Sequence, residues 1–136
     1  MSDVCTYVSK NLDIVDKKSL SFPFSDCGFL YGYGLFESIR ICNGVPVFLE
    51  QHLARLKRGS IILDIPFLYS EEQVISEVTQ LIEKNSVSGD AILNFYLTAG
   101  DRGQNITDLD SSGPMFLLVI RPCPEYNPDK KLELIF

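Results

Sequence analysis

His52 and Arg55 stand three residues apart in the run HLARL, a spacing that puts both on one face of a helix. That face lies beside the Leu53/Leu56 stripe rather than opposite it. An arginine at the border of a core suits a fixed anion such as a phosphate, because its planar fork grips oxygens in pairs. Gly59, one turn further on, removes a side chain and is expected to leave room for something to approach. The competing reading is a rim arginine in a salt bridge with Glu50 or with a carboxylate elsewhere. His52 by itself reads as a hydrogen-bonded structural histidine, without an acid–base role. A second group of candidates surrounds a glycine-rich loop. Tyr31 and Tyr33 carry hydroxyls among Gly28, Gly32 and Gly34, and Phe36 follows as an apolar wall. A third candidate, Arg102, lies in the polar run Gly100–Gly113, where it could meet an anionic group or pair with Asp101 or Asp108.

Several elements must hold these residues. Val4–Val8 reads as a short edge strand, and Lys10–Lys18 as a second short strand or a crossing loop. Leu35–Cys42 alternates, with Leu35, Glu37, Ile39 and Ile41 on one face and Phe36, Ser38, Arg40 and Cys42 on the other. Asn43-Gly44 is a two-residue hairpin turn, since both central positions of a type I′ turn need positive φ. The return arm Val45–Phe48 contains Pro46, which cannot donate to a ladder and marks a short or edge strand. Glu50–Leu63 is helical, with Leu49, Leu53, Leu56 and Leu63 on its core stripe. Ser70 caps a second helix with Gln73 closing a capping box, and Val74, Ile75, Val78, Leu81 and Ile82 form its buried stripe. Asn85–Gly89 stops it. Ala91–Ala99 is a strand with one apolar and one semi-polar face, and Met115–Arg121 is apolar on both faces, as a central strand is.

The expected fold is α+β: an antiparallel sheet with two helices packed on one face, in the order β-β-β-α-α-β-β. A chain of 136 residues fits one ordinary domain. At 46% apolar and 22% charged residues it lies in the globular range. The net charge of −6 comes without a basic stripe, which argues against nucleic acid. Cys5, Cys27, Cys42 and Cys123 form no CxxC pair and have one histidine for company, which argues against zinc and reads as reduced thiols in a cytoplasmic protein. No apolar run follows a basic start, and no stretch approaches the ~20 apolar residues of a membrane span.

The block DCGFLYGYGLFESIR, with NG and HLARL following at their spacing, resembles the fold-type IV pyridoxal-phosphate enzymes, the class IV aminotransferases, which include branched-chain and D-amino-acid aminotransferases and aminodeoxychorismate lyase. The resemblance spans about Asp26 to Arg121 and implies the small N-terminal domain of that family, over residues 1–122. It implies pyridoxal 5′-phosphate as cofactor, with Arg55 contacting the phosphate, and an amino acid/2-oxo acid substrate met by Phe36, Tyr31 and Arg102 across a homodimer. Two departures stand out. The usual YGDG is YGYG here, with Tyr33 for the aspartate, and Phe36 lacks the hydroxyl that some relatives place there. Ala99 occupies a position where aminotransferase relatives carry a substrate-binding arginine, whereas Arg102 resembles the arginine of the lyase-like version.

Pyridoxal-phosphate chemistry needs a lysine that forms a Schiff base with the cofactor. None of Lys10, Lys17, Lys18, Lys57, Lys84, Lys130 and Lys131 lies where the family holds it, so no catalytic residue is expected in this chain and these 136 residues alone are expected to be inactive. Lys131–Phe136 reads as a strand cut off in mid-pattern, so residues 123–136 are expected to be the linker and first strand of a larger cofactor domain. The function expected is amino transfer between an amino acid and a 2-oxo acid. The alternatives are an aminodeoxychorismate lyase-type activity, or a non-catalytic module for dimerisation or ligand binding.

Overall fold

A computed structural model describes residues 4–101, 113–124 and 127–129. Arg102, most of the Gly100–Gly113 run and Lys131–Phe136 lie outside the described residues. The sheet has six strands: β1 (Tyr7–Lys10), β2 (Asp13–Asp16), β3 (Gly34–Cys42), β4 (Val45–Pro46), β5 (Ala91–Thr98) and β6 (Met115–Pro122). They lie in the order β2-β1-β6-β5-β3-β4, and every pairing is antiparallel. Two long helices, α2 (Leu49–Ile62) and α3 (Glu71–Lys84), cover one face. The expected α+β architecture is what forms.

Register explains why one face is dry. Leu35, Glu37, Ile39 and Ile41 sit opposite Leu97, Phe95, Leu93 and Ala91, and the last three of these β5 residues sit opposite Leu118, Ile120 and Pro122. With Leu53 and Leu56 of α2 and Val74, Val78, Leu81 and Ile82 of α3, most of these side chains form one buried cluster. Each Leu, Ile or Phe sunk there contributes about 1.5–3 kcal/mol. Glu77 of α3 lies in the same layer, where its carboxylate accepts the Ser9 hydroxyl at 2.5 Å and ties the helix to β1.

Local chemistry sets the ends. Ser70 and Gln73 make the reciprocal capping box at the start of α3. At its end the Asn85 side chain accepts from the Tyr7 N–H at 2.9 Å and donates to the Tyr7 carbonyl at 3.0 Å, pinning the helix to β1. Asn43 and Gly44 both have positive φ, as the hairpin turn requires. The return strand is two residues long and sits at the sheet edge, as Pro46 demands.

Three expectations change. The first strand begins at Tyr7 rather than Val4, because Asn11 and Leu12 both take positive φ and turn the chain so that Tyr7 pairs with Asp16. The glycine-rich stretch contains a short helix, α1 (Cys27–Tyr31), that its composition conceals: Asp26 accepts from the Phe29 N–H at 3.0 Å, and Gly32 closes the helix at φ +67°. Gly59 does not open space for a ligand. A Cβ there would stand 3.0 Å from Leu35 Cδ1, so the glycine makes room for the domain's own core.

Candidate functional site

Glu37 is the acid of β3's apolar face, and it is buried beside α2 at 4% exposure. A carboxylate there is costly unless it is paired and hydrogen-bonded. Arg55 supplies the pair from α2: its Nε donates to Glu37 Oε1 and its Nη2 to Oε2, both at 2.7 Å. His52, one helical turn earlier, places Nδ1 2.8 Å from Oε2. An ionised carboxylate only accepts, so Nδ1 is the donor. Burial pushes the Glu37 carboxyl up, but the Arg55 guanidinium and the His52 ring outweigh it and hold the group below the ordinary carboxylate range. The same fork raises the Arg55 pKa.

The clamp is asymmetric. Glu37 is sunk in the sheet, whereas the Arg55 side chain is 64% exposed. Two of the three guanidinium nitrogens are spent on Glu37, and no partner for Nη1 is found among the described residues. The helix that carries the clamp starts under strain, because Phe48, its N-cap, holds a left-handed backbone (φ +56°) that an aromatic residue rarely adopts. From there the Phe48 carbonyl accepts the His52 N–H at 3.0 Å.

Phe36 neighbours Glu37 in the strand and so faces the other way. On that open side it sits opposite Tyr96, which sits opposite Leu117, and the next row is Gly34, Thr98 and Met115. With Phe22 and Phe29 these residues line an apolar groove of about 410 Å³. Phe36 is 71% exposed and Tyr96 38%. The α1 segment is seated on the groove by Asp26, a buried carboxylate that accepts the Thr98 hydroxyl at 2.6 Å. Gly28 is required at that seat, since a Cβ would lie 2.4 Å from Thr98 Cγ2.

Of the residues singled out from the sequence, Arg55 and His52 come together, on a carboxylate that is not Glu50. Phe36 lies across the sheet from them. Tyr31 ends α1 at 61% exposure, and the groove takes Phe29 from that helix. The Tyr33 hydroxyl donates to the Leu63 carbonyl, a structural contact between β3's approach and the end of α2. Glu37 was the residue to find, and its signal was a lone acid on an otherwise apolar strand face.

The class IV amino-transferase family model matches residues 34–135. The chain belongs to that family. It is 34% identical over 91 residues to the aminodeoxychorismate lyase of Bacillus subtilis, covering 65% of this chain and 31% of that protein. To the D-alanine aminotransferase of Bacillus licheniformis it is 29% identical over 72 residues, 53% of this chain and 25% of that one. The fold is that of the Escherichia coli branched-chain amino acid aminotransferase, with a TM-score of 0.81 at 20% identity over 88% of this chain and 41% of that chain. This class IV chain thus spans well under half the length of the relatives it matches, and those relatives carry three different activities.

Proposed function

We propose that this chain is the small domain, residues 1–122, of a pyridoxal-phosphate-dependent class IV aminotransferase that moves amino groups between an amino acid and a 2-oxo acid. Residues 123–136 would lead into a larger cofactor domain. The observation that carries the proposal is the Glu37-locked guanidinium of Arg55, held in one orientation with Nη1 left for an outside anion. The family likeness supports the phosphate of pyridoxal phosphate as that anion.

The residues present fit one end of that cofactor. Arg55 offers a charge-assisted donor to the phosphate. Four of the described lysines have contacts of their own. Lys10 and Lys17 donate to the Ser21 and Val4 carbonyls, while Lys57 and Lys84 lie over the Phe67 and Tyr7 rings. The amine that attaches the cofactor is proposed to lie in the larger domain, as the family resemblance implies. When bound, the cofactor supplies the electron sink that amino transfer needs. This chain's part is to neutralise the phosphate through Arg55, while Phe36, Phe29, Tyr96 and Leu117 present an apolar wall on the opposite face of the sheet. Tyr31 and Arg102 are proposed to meet the substrate's polar groups across a homodimer.

A lyase-type reaction is the second reading, favoured by the 34% identity to the Bacillus subtilis enzyme. Ala99 adds to it: it is buried at the end of β5, where aminotransferase relatives are expected to carry arginine. The test uses the full gene product that carries this chain. A visible cofactor band bleached by borohydride is expected, and Arg55→Ala is expected to release cofactor on dialysis. Unchanged retention overturns the phosphate role, and a product with no band supports the non-catalytic module. Amino transfer to a 2-oxo acid, against pyruvate release from an amino-chorismate, separates the two reactions.

A further inference from the structure

We propose that Glu37 is the positioning residue for Arg55: it fixes the guanidinium plane so that a phosphate meets a pre-oriented donor, and His52 braces Glu37 through the shared Oε2. The inference rests on the cofactor reading above and adds to it the device that makes Arg55 selective for a phosphate.

Three observations carry it. First, Glu37 sits where its strand neighbours Leu35, Ile39 and Ile41 are all apolar, at 4% exposure. Packing alone favours a hydrophobic residue at such a place, because a buried ion pair often does no better than well-packed apolar side chains of the same volume. Second, both carboxylate oxygens are engaged by groups from a single helix, Arg55 at 2.7 Å twice and His52 at 2.8 Å. Two of these contacts form a fork, which fixes the guanidinium plane where a single contact would leave it free to rotate. Third, the bond pattern is directional. Nε and Nη2 face the sheet and are used, which leaves the Nη1 side of a side chain that is otherwise 64% exposed.

The physical consequence is entropic. An exposed arginine on a helix samples many rotamers, and a ligand must freeze them. Here the strand has frozen them already, so binding costs less. The carboxylate cannot yield its place to the phosphate, because it is anchored on β3 beneath the helix. It therefore orients the guanidinium rather than competing for it.

The test compares pyridoxal phosphate with pyridoxal, which lacks the phosphate, by equilibrium binding to the full gene product. The ratio of the two affinities isolates the phosphate contact. Glu37→Gln keeps the shape of the side chain and removes the charge that holds the fork. It is expected to lower the ratio about tenfold while leaving pyridoxal binding unchanged, the scale set by the rotamer freedom an arginine regains. Arg55→Lys keeps the charge and loses the fork, and is expected to lower the ratio as far. A ratio that stays the same or rises in Glu37→Gln overturns the proposal, and so does an equal loss for both ligands. Should Glu37→Gln fail to fold, Arg55→Lys decides alone, and a full ratio there overturns it. The underlying reading fails separately: Arg55→Ala that retains the wild-type ratio removes the phosphate role itself.

Discussion

The two faces of this sheet are built from alternate residues of the same strands and have opposite fates. On the covered face, Leu93, Phe95 and Leu97 of β5 are at most 1% exposed beneath α2 and α3. On the other, Phe36 and Tyr96 remain 71% and 38% exposed in a groove of about 410 Å³. The covered face is apolar and yet holds two carboxylates, Glu37 and Glu77, each tied by hydrogen bonds to a neighbouring element. The open face is aromatic and yet, among the described residues, carries only the short α1 segment. Large exposed apolar surface marks a place where something docks. The contrast separates residues that hold the domain together from residues that meet what lies outside it. Glu37 belongs to both groups, because it is buried on one face and steers an exposed cation at its rim.

The largest expected effect tests that division directly. Phe95→Ala removes a fully buried ring packed edge-on against Phe116 and should cost about 3–5 kcal/mol in urea unfolding. Phe36→Ala, one strand away on the open face, should shift stability by no more than about 0.5 kcal/mol. Equal losses would break the comparison by showing that the groove is covered in solution. A middle-sized effect is expected at Ser9, whose hydroxyl reaches Glu77 from β1. Ser9→Ala leaves a buried carboxylate short of a donor and should cost about 1–3 kcal/mol. Adding Glu77→Met should recover part of that loss, because two apolar groups of suitable shape remove the unmet polar atom. A double variant no better than Ser9→Ala would mean that Glu77 serves another contact.

Much of this division was legible in the alternation of β3 and β5, since period-two patterning and burial are one phenomenon. The helices were legible for the same reason, and Ser70 with Gln73 signalled a local hydrogen-bond exchange that needs no tertiary context. What escaped depends on contacts between distant residues. The α1 helix is seated by Asp26 on Thr98, 72 residues away, and β1 is pinned to Asn85 across 78 residues. Arg55 and Glu37 are 18 apart and meet because of how α2 lies on β3, which no periodicity encodes. Gly59 was visible as a gap, but only the docked helix shows that Leu35 fills it.

The smallest expected effect concerns acid. Burial raises the Glu37 pKa, but Arg55 and His52 lower it further, so its folded value lies below its unfolded one. A carboxyl shifted in that direction contributes stability that is complete above the unfolded value of about 4.3 and fades as pH falls through the folded one. The native state binds the proton less readily than the unfolded chain, so acid favours unfolding. Urea midpoints taken between about pH 6 and about pH 3 should therefore fall for the wild-type protein by more than for Glu37→Gln, which has no proton to gain at this position. The other carboxylates are common to both proteins, so the difference between the two curves isolates the clamp. His52 remains in both proteins. Parallel curves would show that the Arg55 fork does not survive in solution, and the buried half of the comparison would lose its link to the exposed cation.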